Sequence, residues 1–267
     1  MDVRSKLKDA EKIVVKVGTT TLTYPNGKLN LERIDKLTRV LSDLNNLGKQ
    51  IVLVSSGAIG VGAERLGLDR ANITLPQKQA AASVGQAILM KIYQKFFEGY
   101  NNSTSQILLT KDVMDNSDRK QNAQNTFNTL LDLGVVPIVN ENDTISTYEI
   151  EFGDNDTLSA TVAALVDADL LILLTDIEGL YTADPKKDKD AKIIHLVKEI
   201  DEEISNAADG SGSTLGTGGM VTKISAAKIG CEYGIDTIIA NGEDPSIIYD
   251  ILRGRERGTL FLSCPID

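Results

Sequence analysis

The sequence has 267 residues, of which 42 % are hydrophobic and 25 % are charged, and its formal net charge is −10. This composition is typical of a globular protein with a buried core and excludes a disordered chain. An acidic chain without a basic run lacks the charge pattern of a nucleic-acid-binding protein. The N-terminus is charged and the longest apolar runs are strand-length, so we predict a cytoplasmic protein without a membrane span.

The two cysteines, Cys231 and Cys264, have no metal-ligand spacing with the single histidine, His195. We therefore expect no structural zinc site. In a cytoplasmic protein both cysteines are expected to be reduced thiols, with Cys231 on a helix. We expect His195 to lie on the surface, because it falls in a polar connecting segment.

Short apolar runs rich in Val, Ile and Leu recur along the chain. Runs of this kind are typical of strands buried on both faces of a parallel sheet. The predicted strands, in chain order, are residues 12–17, 50–54, 106–109, 135–139, 170–174, 237–240 and 259–262.

Amphipathic stretches between these runs predict helices. The first begins after Asn30, a plausible N-cap, and stops at Gly48. The others are predicted at residues 76–97, 120–133, 157–166, 220–233 and 245–252. Alternating strands and helices without a flexible linker predict an α/β three-layer αβα sandwich in one domain spanning residues 1–267. Hairpins are predicted at residues 20–29 and 144–152.

Polar residues follow four of the predicted strands, at residues 18–21, 55–60, 140–143 and 175–176. In an open α/β sheet, ligands bind beyond the carboxyl ends of the strands. Four such segments together therefore predict one convergent polar site.

Lys16 interrupts the first apolar strand. A buried lysine is costly unless its charge is paired. One interpretation is an ammonium group that contacts a phosphate beside glycine-rich backbone donors. The alternative is an edge strand from which Lys16 reaches water.

Two further segments carry candidate site residues. Glycines before the helix at 220–233 would let backbone N–H groups and Lys223 approach an anion, although the segment is neither GxxxxGK[ST] nor GxGxxG. The residues Asp154, Asn155 and Asp156 open another helix. They are either an N-cap cluster or a site where Asp156 holds two lysines.

These motifs, in this order, resemble the amino acid kinase family. The resemblance extends from about residue 12 to residue 261. It rests on residues 14–19, 54–59, 139–143, 153–156, 174–176 with 179–185, and 216–223. The Asn-Glu-Asn-Asp and Gly-Asp-Asn-Asp sequences resemble the branch of the family that acts on glutamate.

The resemblance implies a central, mainly parallel eight-stranded sheet and transfer of the γ-phosphoryl group of ATP to the side-chain carboxylate of L-glutamate. The product would be L-glutamyl 5-phosphate, in the first step of proline biosynthesis. The N-terminal part would bind glutamate, and the part from about residue 170 would bind ATP with Mg²⁺. Feedback inhibition by proline and a homo-oligomer are also implied, in a form without the C-terminal PUA domain of longer relatives.

The resemblance also implies roles for individual residues. Lys16 and Lys223 would contact the phosphoryl groups, and Asp156 would organise both lysines. The residues implied for glutamate are Ser56, Gly57, Asp143 and Asn155. Those implied for ATP are Lys16, Thr175, Asp176, Thr217, Gly218, Gly219, Met220, Val221, Thr222 and Lys223. The sequence does not indicate which side chains, if any, bind Mg²⁺. A kinase of a related acid, such as N-acetylglutamate or aspartate, and a non-catalytic sensor on the same fold remain alternatives.

Overall fold

A computed structural model describes residues 3–24, 26–69, 72–146, 155–185, 187–201, 204 and 219–264. Its strands form one eight-stranded sheet in the order β3-β4-β2-β1-β5-β7-β8-β6. All neighbouring strands are parallel except β7 and β8, which are antiparallel. The strands are β1 Lys12–Val17, β2 Gln50–Ser55, β3 Thr104–Leu109, β4 Val136–Glu141, β5 Leu170–Thr175, β6 Leu196–Val197, β7 Asp236–Asn241 and β8 Thr259–Phe261.

Each of the seven predicted strands is present, with ends within two residues of the prediction. Strand β6 was not predicted, because two residues are too few to form a recognisable apolar run. Strand β6 pairs with β8 at the edge of the sheet.

The helices are α1 Thr19–Leu22, α2 Leu31–Asn46, α3 Ala58–Leu66, α4 Leu75–Gly99, α5 Ser117–Asp132, α6 Asn155–Leu165, α7 Met220–Glu232 and α8 Ile247–Leu252, with 3-10 helices at Val3–Asp9 and Lys111–Met114. Asn30 caps α2 as predicted, since its Oδ1 accepts a 3.0 Å hydrogen bond from the backbone N–H of Arg33. Gly48 follows this helix with a positive φ of 89°. Helices α1 and α3 were not predicted, because both begin inside the glycine- and threonine-rich segments that were assigned to loops.

The two faces of the sheet are covered by different helices. Helices α2, α3, α4 and α8 pack on the face that includes Ile13 and Val15 of β1. Helices α5, α6 and α7 pack on the opposite face, which includes Val14. The predicted three-layer αβα sandwich with a mainly parallel sheet is confirmed.

The predicted hairpin at residues 20–29 is wrong in its first half. Residues Thr19–Leu22 form α1, and the antiparallel pairing found among the described residues of this segment is an isolated bridge between Thr23 and Leu29. The turn itself is present, with the backbone N–H of Tyr24 bonded to the carbonyl of Lys28 at 2.8 Å. Most of the second predicted hairpin, at 144–152, lies outside the described residues.

The prediction of two reduced thiols is also wrong, because Cys231 and Cys264 form a disulfide. Strand β8 runs antiparallel to β7 and carries the following residues back to the end of α7. The two Cα atoms therefore lie 4.8 Å apart, within the range that a disulfide spans. His195 is half-buried, with one ring nitrogen 3.3 Å from the carbonyl oxygen of Gly258.

Candidate functional site

The carboxyl ends of four neighbouring parallel strands form the candidate site. Strands β4, β2, β1 and β5 are adjacent in the sheet and point the same way. Each is followed by one of the four polar segments that the sequence singled out. The predicted convergence of these segments follows directly from the strand order.

A buried cluster of one carboxylate and two ammonium groups lies at the centre of this edge. Lys16 Nζ is 2.6 Å from Asp156 Oδ1, and Lys223 Nζ is 3.1 Å from Asp156 Oδ2. Strand β1 lies between β2 and β5, so the interpretation of Lys16 as an edge-strand residue is wrong. Side chains alternate along a strand, and Lys16 therefore faces the layer that contains α6 and α7.

Asp156 is held as a carboxylate by these contacts. Burial raises its pKa, but the charges of Lys16 and Lys223 and a hydrogen bond from Thr222 outweigh burial and lower the pKa to about 2. The hydroxyl of Thr222 donates to Asp156 Oδ2 at 2.8 Å. Since α6 begins at Asn155, Asp156 lies within its first turn and is not the N-cap. The structure thus favours the interpretation that Asp156 holds two lysines.

Asn155, the neighbour of Asp156, connects the ends of two further strands. Its Nδ2 donates to Ser56 Oγ and to Asn140 Oδ1, both at 2.9 Å. Asn140 Nδ2 donates in turn to Gln86 Oε1 at 3.1 Å. Two of the residues predicted for glutamate, Ser56 and Asn155, are therefore in direct contact. Asn140 and Gln86 were not predicted; Asn140 lies in a quoted motif, whereas Gln86 has no sequence signal.

The turn from β2 into α3 is fixed from several sides. Gly57 precedes α3 with a φ of 102°, a conformation that favours glycine. The backbone N–H of Ser56 donates to the carbonyl of Val17 at 3.1 Å. Ser55 Oγ lies 2.8 Å from the buried hydroxyl of Tyr93 on α4. These contacts hold the N-terminus of α3, with its partial positive charge, at the candidate site.

Asp143, in the turn after β4, lies at a cavity of about 200 Å³. Its side chain is buried, and its Oδ1 has no hydrogen-bond partner among the residues that the structure describes. Burial and then the charge of Glu141 raise the pKa of Asp143 to about 7. The cavity is lined by Ala82, Ser83, Gln86, Ala87, Gln106, Leu108, Asn140, Glu141, Asn142, Asp143 and Thr144.

The residues predicted for ATP are in different environments. Thr175 ends β5, is buried, and donates its hydroxyl to Asp176 Oδ1 at 3.1 Å, while Asp176 itself is exposed. Gly219 immediately precedes α7. Of the first two residues of this helix, Met220 is buried in the core and Val221 is 47 % exposed. Thr217 and Gly218 lie outside the described residues, as do Gly153 and Asp154.

This arrangement of charges can stabilise a negatively charged group that is transferred between two molecules. Two ammonium groups converge beside the N-terminus of α7, where backbone N–H groups favour an anion. Within the described ranges, no group of three or more His, Cys, Asp or Glu side chains is placed to hold a metal ion. Nor does this part of the chain contain a helix of the length and apolarity that crossing a membrane requires.

Proteins of similar sequence were found among curated proteins. A glutamate 5-kinase of Clostridium perfringens is 56 % identical over 265 residues, which cover 98 % of each chain. A glutamate 5-kinase of Clostridium tetani is 53 % identical, with 96 % of each chain covered. One from Moorella thermoacetica is 52 % identical, and its match covers 98 % of this chain but 69 % of that longer protein.

Similar folds occur in solved structures. A UMP kinase from Bacillus anthracis aligns with a TM-score of 0.60 at 17 % identity, covering 95 % of this chain and 96 % of that one. An isopentenyl phosphate kinase aligns with the same TM-score, 0.60, at 18 % identity. These likenesses support the fold alone. The sequence profile of the amino acid kinase family matches residues 11–241, so the chain belongs to the amino acid kinase family.

Proposed function

We propose that this protein transfers the γ-phosphoryl group of ATP to the side-chain carboxylate of L-glutamate, giving L-glutamyl 5-phosphate and ADP in the first step of proline biosynthesis. Relatives named glutamate 5-kinase, 50 % to 56 % identical over nearly the whole chain, support glutamate as the acceptor. The observation that carries the reaction class is Asp156 bound by Lys16 and Lys223 at the carboxyl edge of the sheet.

The chemistry requires charge stabilisation and positioning. A glutamate side chain with a pKa of ~4.3 is ionised at neutral pH, so its oxygen can attack the γ-phosphorus without a general base. The bond from that phosphorus to the β-phosphate oxygen breaks, and ADP leaves with the bonding electrons. Two anions meet and negative charge moves to the leaving oxygen, so catalysis rests on electrostatic stabilisation.

Lys16 and Lys223 are proposed to supply that stabilisation. Both ammonium groups bind one carboxylate, and Asp156 therefore offsets part of the repulsion between them. Helix α7 adds backbone N–H donors near Gly219. Thr175, Asp176 and residues 217–223 are proposed to hold the nucleotide.

The acceptor is proposed to bind on the other side of this cluster. Ser56, Gly57 and Asn155 would orient the reacting carboxylate, because Asn155 is next to Asp156 in the chain and hydrogen-bonds both Ser56 and Asn140, a residue that lines the cavity at Asp143. The α-ammonium of free glutamate needs an acceptor-only group, and the Asp143 carboxylate is the candidate.

Further properties are part of the same proposal. Magnesium would arrive with the phosphates of ATP, since Mg²⁺ commonly keeps several waters and few protein ligands. Inhibition by proline, a homo-oligomer, a cytoplasmic location and a single kinase domain over residues 1–267 are proposed from the family resemblance.

The decisive experiment is an assay of ADP release with ATP, Mg²⁺ and glutamate, with hydroxylamine present to trap the acyl phosphate as a hydroxamate. We expect ADP and hydroxamate to form in equal amounts, and both to depend on glutamate. N-acetylglutamate and aspartate serve as comparison substrates. A preference for either would reject glutamate as the acceptor, and turnover of none of the three acids would favour a sensor.

A further inference from the structure

The cavity at the end of β4 contains two buried carboxyl groups. Glu141 is 4 % exposed and Asp143 is 3 % exposed. The other polar residues that line the cavity carry amide or hydroxyl groups, and the described part of its lining includes no lysine or arginine. A cavity whose described lining holds two acids and no basic residue is suited to a cationic group.

The two carboxyl groups are held differently. Glu141 Oε1 accepts a 2.6 Å hydrogen bond from the hydroxyl of Ser146. Asp143 Oδ1 is buried, and no described residue forms a hydrogen bond with it. A buried carboxylate in that state is costly, and a second carboxylate beside it adds repulsion.

A proton relieves this cost when the cavity holds no ligand. Burial and the charge of Glu141 raise the pKa of Asp143 to about 7, so the pair is partly protonated at neutral pH. The polar residues that line the cavity from the neighbouring elements are Ser83 and Gln86 of α4, Gln106 of β3 and Thr144, and none of them titrates near neutral pH.

We propose that Glu141 is the second carboxylate of an ammonium-binding subsite, and that Glu141 and Asp143 share a proton which leaves for solvent when the α-ammonium of the amino-acid substrate enters. The inference rests on the proposed function, because it takes the substrate to be a free amino acid. Glu141 acts here as a specificity-determining residue; it lies in the Asn-Glu-Asn-Asp motif, but the family resemblance assigned it no role.

The pair explains discrimination between free and N-acylated amino acids. An ammonium group allows both carboxylates to ionise, because its charge offsets their repulsion. A neutral amide in the same place provides no such charge and leaves the pair protonated or repelling. Two carboxylates therefore make selection for a cation stricter than one would.

The test is calorimetry of glutamate binding without ATP, in buffers of different ionisation enthalpy such as phosphate and Tris. The dependence of the heat on the buffer gives the number of protons released. For a group with a pKa of about 7, we expect about half a proton released at pH 7, more at pH 6 and about a tenth at pH 8.

The diagnostic variant is Glu141→Gln, which keeps the volume of the side chain and an acceptor for Ser146. Without the neighbouring charge Asp143 ionises at lower pH, so proton release at pH 7 should fall below that of the wild type. Glutamate affinity at pH 8 should weaken about tenfold, since one of two attracting charges is lost. Glu64→Gln, at an exposed position on α3, is the matched control and should behave as the wild type.

Absence of proton release by the wild type at pH 7 would overturn the inference, and so would unchanged release by a folded Glu141→Gln protein. The wild-type measurement stands even if the variant is unstable. If the protein phosphorylates glutamate but releases no proton on binding it, the proposed function stands and only this inference is wrong. If the protein neither binds nor phosphorylates glutamate, both the proposed function and this inference are wrong.

Discussion

Asp156 holds two ammonium groups that would otherwise repel each other in a buried site. We predict that Asp156→Asn lowers kcat by about 10²–10³-fold, the range for losing one stabilising contact to a transition state. Removing one partner of a buried ion pair should also lower the free energy of unfolding by about 3–5 kcal/mol. Steady-state kinetics and urea unfolding measure the two effects.

The matched control is Asp118→Asn, at an exposed position in α5, where both quantities should stay near wild type. Normal turnover by Asp156→Asn would remove Asp156 from the mechanism. Loss of stability alone would make it a structural residue.

The same carboxylate predicts a pH dependence of stability. Its pKa is about 2 in the folded protein and ~3.9 in an unfolded chain, so the folded state binds fewer protons in this range. Its stabilising contribution is complete above pH ~4 and is lost as the pH falls towards about 2. The stability difference between wild type and Asp156→Asn should therefore be largest at pH 7 and shrink at pH 3. An equal difference at both pH values would contradict this assignment.

At the scale of elements, the close crossing of α3 and α4 positions the turn at Gly57. A Cβ added at Gly85 of α4 would lie 1.8 Å from the carbonyl oxygen of Ala58, the first residue of α3. We predict that Gly85→Ala costs about 1–3 kcal/mol of stability, because the helices must separate. The KM for glutamate should rise more than the KM for ATP, since the turn that leads into α3 holds Ser56 and Gly57, which are proposed for the acceptor.

Gly99→Ala is the matched control on the same helix. A Cβ at Gly99 meets nothing within 4 Å, so alanine should be neutral or add about 0.5–1 kcal/mol of stability. Equal effects of the two substitutions, measured by thermal unfolding and kinetics, would show that the crossing does not position the site.

For the whole molecule, the disulfide between Cys231 and Cys264 joins residues 33 positions apart. A loop of this length predicts a stabilisation of about 3–4 kcal/mol from the restricted unfolded chain. We expect a reductant to lower the unfolding midpoint of oxidised wild type, and Cys264→Ser to show the lower midpoint with or without reductant. A wild-type unfolding midpoint that does not change with reductant would argue against the disulfide in solution. Thiol labelling with mass spectrometry checks directly whether the two cysteines are bonded.

The fold could be predicted because its signals are local. Apolar runs of Val, Ile and Leu identified seven strands, with predicted ends within two residues of the observed ends. The N-cap at Asn30 identified the start of α2. Strand β6 and helix α3 were missed, because the first is too short for a pattern and the second begins among glycines.

The sequence by itself determined the αβα class, the strands and the polar segments that follow them, because apolar periodicity and turn residues act over a few positions. Only the tertiary structure decided that Lys16, Asp156 and Lys223 meet, that Glu141 shares a cavity with Asp143, and that the two cysteines are bonded. These contacts join residues from different strands and helices. Their distances depend on strand order and helix packing, which no local pattern in the chain specifies.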